Sequence, residues 1–203
     1  MLKKFASDAL GLTDIGKVIG PQDYDKTDSD DYVLHEIGEK IYFLIKTKAD
    51  EYCFTNLALI HVDGDMAVSK KRTLRRYEYK WNPISNVSLE TAGTIDLDVE
   101  IKFTIGNTPF SIDIDKRELD KVKDLYKALV EMERIMKDNQ KYIKFAQDSL
   151  EYAQKSLSGV RAQGSPAESF KTIAEFTNDW LTNMNKKYAY EDYGNVFELF
   201  INN

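Results

Sequence analysis

The sequence predicts an α+β protein in which a run of antiparallel strands comes first and long helices follow. Three observations carry that expectation. Ile95, Leu97, Val99, Ile101, Phe103 and Ile105 alternate without a break against Asp96, Asp98, Glu100, Lys102 and Thr104, the period of two that marks a strand with one buried and one solvated face. Residues 40–114 contain further short apolar runs whose links are too short for crossover helices, so the sheet is antiparallel. From Glu118 the apolar period becomes that of a helix.

A chain of 203 residues can bury one substantial core and carry an appendage. With 42% hydrophobic and 31% charged residues and a net charge of -6, it has the make-up of an ordinary soluble protein and no general basic surface for nucleic acid. The single cysteine, Cys53, cannot close an intramolecular disulfide, and no apolar run approaches the ~20 residues of a membrane-spanning helix. A reducing, cytoplasmic setting is expected. Ser7 and Asp8 interrupt the opening Met-Leu-Lys-Lys-Phe before the apolar core of a signal peptide forms, which argues against secretion.

Taken in order, Leu2, Phe5, Ala6, Ala9 and Leu10 have the spacing of a short amphipathic helix stopped at Gly11, assigned to an N-terminal region 1–20. Pro21–Asp31, with five aspartates and Tyr24 as its one apolar side chain, reads as a solvated loop. Strands are expected over Lys40–Thr47, Tyr52–Thr55, Leu57–Val62, Lys70–Lys80, Ile84–Thr91, Ile95–Ile105 and Pro109–Ile114. Turn residues join them at Ala49-Asp50, Asp63-Gly64-Asp65, Asn82-Pro83, Ala92-Gly93 and Gly106-Asn107. Seven such strands favour a sandwich or partly open barrel, and Leu119, Val122, Leu125, Tyr126 and Leu129 supply the apolar stripe of a covering helix.

The stretch Ser85-Asn86-Val87-Ser88-Leu89-Glu90-Thr91-Ala92-Gly93-Thr94-Ile95-Asp96-Leu97-Asp98-Val99-Glu100, with a Lys-rich strand before it and the covering helix after it, resembles the bacterial pleckstrin-homology-like domain family. The C-terminal third similarly resembles the YvbH-like oligomerisation region that accompanies some members. The resemblance implies a seven-stranded, strongly bent antiparallel PH-like barrel over residues 31–132, closed by a C-terminal helix. It also implies a helical oligomerisation region over 133–203, and self-association into an assembly such as a ring.

The helix does not stop where a small domain needs it to. Leu125, Leu129, Met132, Met136, Asn139, Ile143, Ala146, Leu150, Ala153 and Leu157 follow one another at alternating spacings of four and three, a coiled-coil seam broken in character at Asn139 alone. From Glu118 to Ser158 such a helix is roughly 60 Å long. After Gly159–Gly164, Ser165-Pro166-Ala167-Glu168 reads as an N-cap, a proline at the first helical position and the glutamate of a capping box. Phe170, Ile173, Thr177, Trp180 and Met184 then repeat the seam, so an antiparallel helical hairpin is expected. One seam leaves Ile135, Tyr142, Phe145, Phe176 and Leu181 over, for which self-association is the economical explanation. The oligomerisation residues expected are Leu129, Met132, Met136, Ile143, Leu150, Leu157, Phe170, Ile173, Phe176 and Trp180. The aromatic tail, Tyr188, Tyr190, Tyr193, Phe197 and Phe200, should pack on the hairpin or on a neighbouring subunit.

No pattern spells out a reaction. His35 and His61 have no second histidine or cysteine at metal-ligand spacing, and Cys53 in Tyr-Cys-Phe is a small core thiol with no base beside it. Asp96, Asp98 and Glu100 on one strand, with Asp113 and Asp115 on the next, could invite a divalent cation. Same-face neighbours stand ~6.6 Å apart, however, and read better as a solvated face. No cofactor, metal or catalytic residue is expected, and the protein is read as non-enzymatic. Lys70, Arg72, Arg76 and Lys80 share one strand face and form the alternative, a peripheral adaptor meeting anionic lipid with help from Lys3 and Lys4. Lipid-binding relatives in eukaryotes place a Lys and a Lys/Arg-x-Arg motif around the first two strands. Lys46 and Lys48 lie near that place, but the arginine is missing and Asp50 and Glu51 follow.

Overall fold

Eight strands, where seven were expected, form two antiparallel sheets in the computed structural model, which describes residues 14–64, 72–91, 98–157, 165–189 and 192–201. Strands β1 (Lys17–Ile19), β2 (Ile41–Lys46), β3 (Glu51–Thr55), β4 (Ala58–Gly64) and β5 (Arg72–Glu78) lie in that order in one sheet. Strands β6 (Ile84–Thr91), β7 (Asp98–Ile105) and β8 (Thr108–Asp115) make the other. The extra strand, β1, is three residues long and too short to show a period; it pairs Val18 with Ile45. Its neighbour Gly16 joins the sheets, donating its N–H to the Asp113 carbonyl at 2.8 Å and accepting from Asp115 N–H at 2.9 Å. A side chain at Gly16 would put its Cβ 2.7 Å from the Ile45 side chain. Among the described residues β5 and β6 are not paired, so the expected seven-stranded bent barrel is observed as eight strands in two antiparallel sheets that meet through Gly16 at one corner. The expected N-terminal helix lies outside the described residues up to residue 13, as do Lys3 and Lys4, and residues 17–19 of that region are strand.

The two sheets are buried differently. Along β7 every second residue is buried, Val99, Ile101, Phe103 and Ile105, while β2, β3 and β4 carry unbroken buried runs such as Phe43–Ile45 and Cys53–Thr55. A strand covered on both faces loses its alternation. The inner face sets Phe54 against Phe103 with ring centres 5.8 Å apart, and Phe103 stacks on Phe110 at 5.2 Å. The outer face carries Leu44, Cys53 and Ile60, packed with Val33, Tyr24, Ile19 and Ile41.

The outer cover is the acidic segment that the sequence suggested was a solvated loop. It forms short 3-10 turns over Pro21–Lys26, Asp30–Tyr32 and His35–Ile37, and buries Thr27, Ser29 and Val33. Two buried glutamates hold it. Glu51 accepts the N–H of Ser29 at 2.8 Å and is paired with Lys46. Glu39 accepts the Leu34 N–H at 2.7 Å, the Thr55 hydroxyl, and two nitrogens of Arg76 at 3.0 and 3.1 Å. Each carboxylate is thus removed from water only where donors replace the water.

Helix α1 (Leu119–Leu157) follows a 3-10 turn capped by Asp115, whose carboxylate accepts from Arg117 N–H at 2.9 Å. The Arg117 guanidinium holds the Asp115 carboxyl down at about 2. Val122, Leu125, Ala128, Leu129 and Met132 have no exposed surface. Helix α2 (Pro166–Tyr188) begins at the predicted proline, but the Ser165 side chain makes no capping bond. Helix α3 (Gly194–Phe200) was not expected.

The described residues divide into two compact units: one runs up to residue 133 and takes in the stretch from 192, and the other runs from 134 to 189. The stretch from residue 192 is therefore part of the first unit, which corrects the place expected for Tyr193, Phe197 and Phe200, whereas Tyr188 belongs to the hairpin and Tyr190 lies outside the described residues. Tyr193 N–H donates to the Asn56 carbonyl at 2.8 Å, Asn56 Nδ2 donates to Asp192 at 2.8 Å, and the Tyr42 hydroxyl donates to Glu198 at 2.9 Å. Phe197 stacks on Tyr42 with ring centres 5.3 Å apart. Gly194 lets α3 come this close, since a Cβ there would stand 2.9 Å from the Tyr42 hydroxyl.

Candidate functional site

In the second unit, α1 and α2 meet along part of the predicted seam. Ile143, Ala146 and Gln147 of α1 face Leu181, Thr182, Met184 and Asn185 of α2 around a cleft of about 300 Å³. Tyr142 stacks on Tyr188 with centres 5.1 Å apart, which gives the antiparallel order that a hairpin requires. Much apolar surface is left over. Phe170, Ile173 and Phe176 are 74%, 56% and 63% exposed, and Tyr142, Phe145 and Tyr152 are exposed on α1.

The ten residues expected in an oligomerisation surface thus fall in different places. Leu129 and Met132 are enclosed within the first unit, and Met136 is buried. Ile143 and Leu150 are half-buried, and the Leu157 side chain lies outside the described residues. Trp180 is half-buried with no described partner for its indole nitrogen, while Phe170, Ile173 and Phe176 face solvent. Tyr152 belongs with them and was missed. With Tyr142 and Phe145 it repeats at intervals of three and seven, a second stripe that the stronger seam obscures. Lys141 lies over the Phe145 ring and Lys155 over the Tyr152 ring, at 5.6 and 5.8 Å.

The basic strand is less available than its sequence suggests. Lys70 lies outside the described residues, Arg72 pairs with Asp28, and Arg76 is held on Glu39. Lys80 lies over the Trp81 ring at 5.0 Å. On the acidic strand face, the Ser111 hydroxyl and Lys102 hold Glu100 below the usual carboxylate range, and Lys102 also reaches Glu90 at 2.8 Å. Burial and the neighbouring Glu100 and Asp98 raise Asp113. Among the described residues no group of three His, Cys, Asp or Glu side chains is placed to hold a metal ion. Burial pushes the Cys53 thiol well above its ordinary value, the opposite of what a nucleophile needs. His61 stacks on Tyr52 at 4.6 Å and lies 3.5 Å from Asp50. Among the described residues no helix is long and apolar enough to cross a membrane.

Comparison with known proteins adds the context that geometry alone lacks. Residues 9–133 match the family of the bacterial PH domain, and residues 144–203 match the YvbH-like oligomerisation region. The uncharacterized protein YvbH of Bacillus subtilis is 57% identical over 204 aligned residues, covering all of both chains. A second B. subtilis protein, the uncharacterized YjqA, is 41% identical over 68 residues, 34% of this chain and 53% of that one. The crystal structure of a PH domain containing protein from Exiguobacterium sibiricum superposes with a TM-score of 0.86 at 52% identity, covering 93% of this chain and all of the other.

Proposed function

Because the chain belongs to the bacterial PH domain family and carries a YvbH-like oligomerisation region, we propose that it is a non-enzymatic, self-associating scaffold of the cytoplasm. The PH-like part, residues 31–132 with the C-terminal segment packed on it, acts as the binding module. The helices beyond residue 133 bring copies together. The observation that carries this reading is the exposure of Phe170, Ile173 and Phe176 in the same segment that matches an oligomerisation region. Three large apolar side chains on one short helical stretch are what a second copy would cover. Face-to-face contact between such faces gives a dimer, and head-to-tail contact gives a ring where the rotation between copies closes. The anionic-lipid reading finds less support, since Arg72 and Arg76 already have carboxylate partners.

Sedimentation velocity on the full chain tests the proposal, with an oligomer expected and a monomer at micromolar concentration overturning it. Replacing Phe170, Ile173 and Phe176 together by serine should lower the sedimentation coefficient towards that of a monomer. A chain cut at residue 132 is a poorer probe, because it removes Tyr193 and Phe197 from the core of the first unit.

A further inference from the structure

Building on the self-association reading, we infer how two copies meet: α2 lies antiparallel on α2 of a second copy, about a two-fold axis at Thr177, and Phe170 of each copy closes a cleft in the other.

The two ends of α2 are covered unequally. Towards its C-terminus Leu181 and Met184 face Ile143 and Ala146 of α1 around the open cleft of about 300 Å³, and Tyr188 stacks on Tyr142. Towards its N-terminus Phe170 and Ile173 belong to the same helix face, yet they are 74% and 56% exposed. None of the 23 residues of α2 is buried. A helix in water owes most of its stability to a packed apolar face, so a further surface is needed to cover this one. The exposed rings of α1 are shielded in part within the chain, by Lys141 over Phe145 and Lys155 over Tyr152.

The spacing selects the surface. Phe170 and Ile173 stand seven and four places before Thr177, and Leu181 and Met184 stand four and seven places after it, so the row has the same spacing in both directions. Such a row fits its own reverse, which is what a two-fold contact between identical helices requires. Laid antiparallel on itself about Thr177, α2 sets Phe170 opposite Met184 of the second copy, Ile173 beside Trp180, and the small Ala174 beside Leu181. Phe170 then reaches the cleft of the second copy, because Phe170 and Met184 each lie roughly 10 Å along the helix from the axis. Parallel pairing would put Phe170 on Phe170 and leave both clefts open. Trp180 adds a polar reason for this register. Its indole nitrogen is buried with no hydrogen-bond partner among the described residues, and the Thr177 hydroxyl of the second copy would stand beside it as an acceptor. Glu168, Glu175, Asp179 and Lys186 lie on the opposite face of α2 and stay exposed, so the contact buries no charge.

Charge placed on the axis tests this without touching the apolar row. Thr177→Glu and Thr177→Lys, each alone, bring two like charges together and should weaken self-association by at least about tenfold in analytical ultracentrifugation at low salt. Mixing the two variants should restore it. Thr177 is only half-buried, so both variants should keep the helical circular dichroism of the parent chain. A short bis-maleimide then reads the direction of the helices. Thr177→Cys should cross-link to itself, and Phe170→Cys should cross-link to Met184→Cys in a mixture but not to itself; Cys53, buried in the first unit, is out of reach. Undiminished association of the two charge variants overturns the inference. So does a failure to recover on mixing, an odd number of chains in the assembly, or Phe170→Cys linking to itself, the mark of parallel helices. Each of those results leaves copies meeting through another contact and the self-association reading intact, whereas a full chain that sediments as a monomer removes both.

Discussion

Helix α1 carries one apolar seam through two environments. In its first half Val122, Leu125, Ala128, Leu129 and Met132 lose all contact with solvent, whereas farther along Ile143 and Leu150 of the seam are only half-buried and Tyr142, Phe145 and Tyr152 beside it are exposed. The seam keeps its alternating spacing of four and three through both halves; what changes is the surface available to cover it. Periodicity thus specifies which residues share a face of a helix and is silent about what that face meets. A helix that outruns its own domain points to a second surface elsewhere.

The contrast can be broken by substitution, and the largest effect belongs to the covered half. Leu125→Ala or Phe197→Ala should cost about 2–5 kcal/mol of stability by opening a cavity, read as a lower unfolding midpoint in urea. A shift as small as that of an exposed residue would end the distinction. Next comes Glu39→Gln, which takes from Arg76 its buried carboxylate, leaving the exposed Glu78 at 3.5 Å, and loosens the cover segment; the loss should be about 1–3 kcal/mol. Alkaline pH tests the same core without mutation. Burial, and then the carboxylates of Asp50, Asp63 and Asp113, push Tyr52 up to about 12, while burial and Glu198 do the same for Tyr42. Burial also raises Tyr79 and Cys53. Folding favours the protonated form of each. Stability should therefore hold below the ordinary values of 9 for the thiol and 10 for the phenols, and should fall as pH rises through 10 to 12. Unfolding midpoints at pH 9 and 11 would show it. The smallest effect on stability is expected on α2, where serine at Phe170, Ile173 or Phe176 should change the stability of a single chain by no more than about 0.5 kcal/mol each. Mass, not midpoint, should respond there.

The same contrast explains how much of the molecule was legible in the sequence. The strand β7 could be read because one face meets water and the other the core, which writes the pattern directly. Strands β3 and β4 could be located, but their unbroken apolar runs did not reveal what covers the outer face. The cover itself was misread, since its five aspartates suggested solvent. It docks through backbone N–H groups aimed at Glu51 and Glu39, and bonds of that kind leave no period. Helix α3 is too short for a periodic signal, and its partners, Tyr42, Asn56 and Tyr79, are far away in the chain. For the candidate surface, spacing collected ten residues on two helices and could not separate Leu129 and Met132, which the first unit encloses, from Phe170, Ile173 and Phe176, which it does not.

The docking of α3 also has a consequence for the order of events during synthesis. Tyr42 bonds to a residue 156 positions later, and Asn56 to one 136 positions later. On a ribosome delivering residues one by one from the N-terminus, the first unit cannot complete its core until the helices of the second have already emerged. Nascent chains would then expose the helices of the second unit, with Phe170, Ile173 and Phe176 on α2, before the core of the first unit is finished.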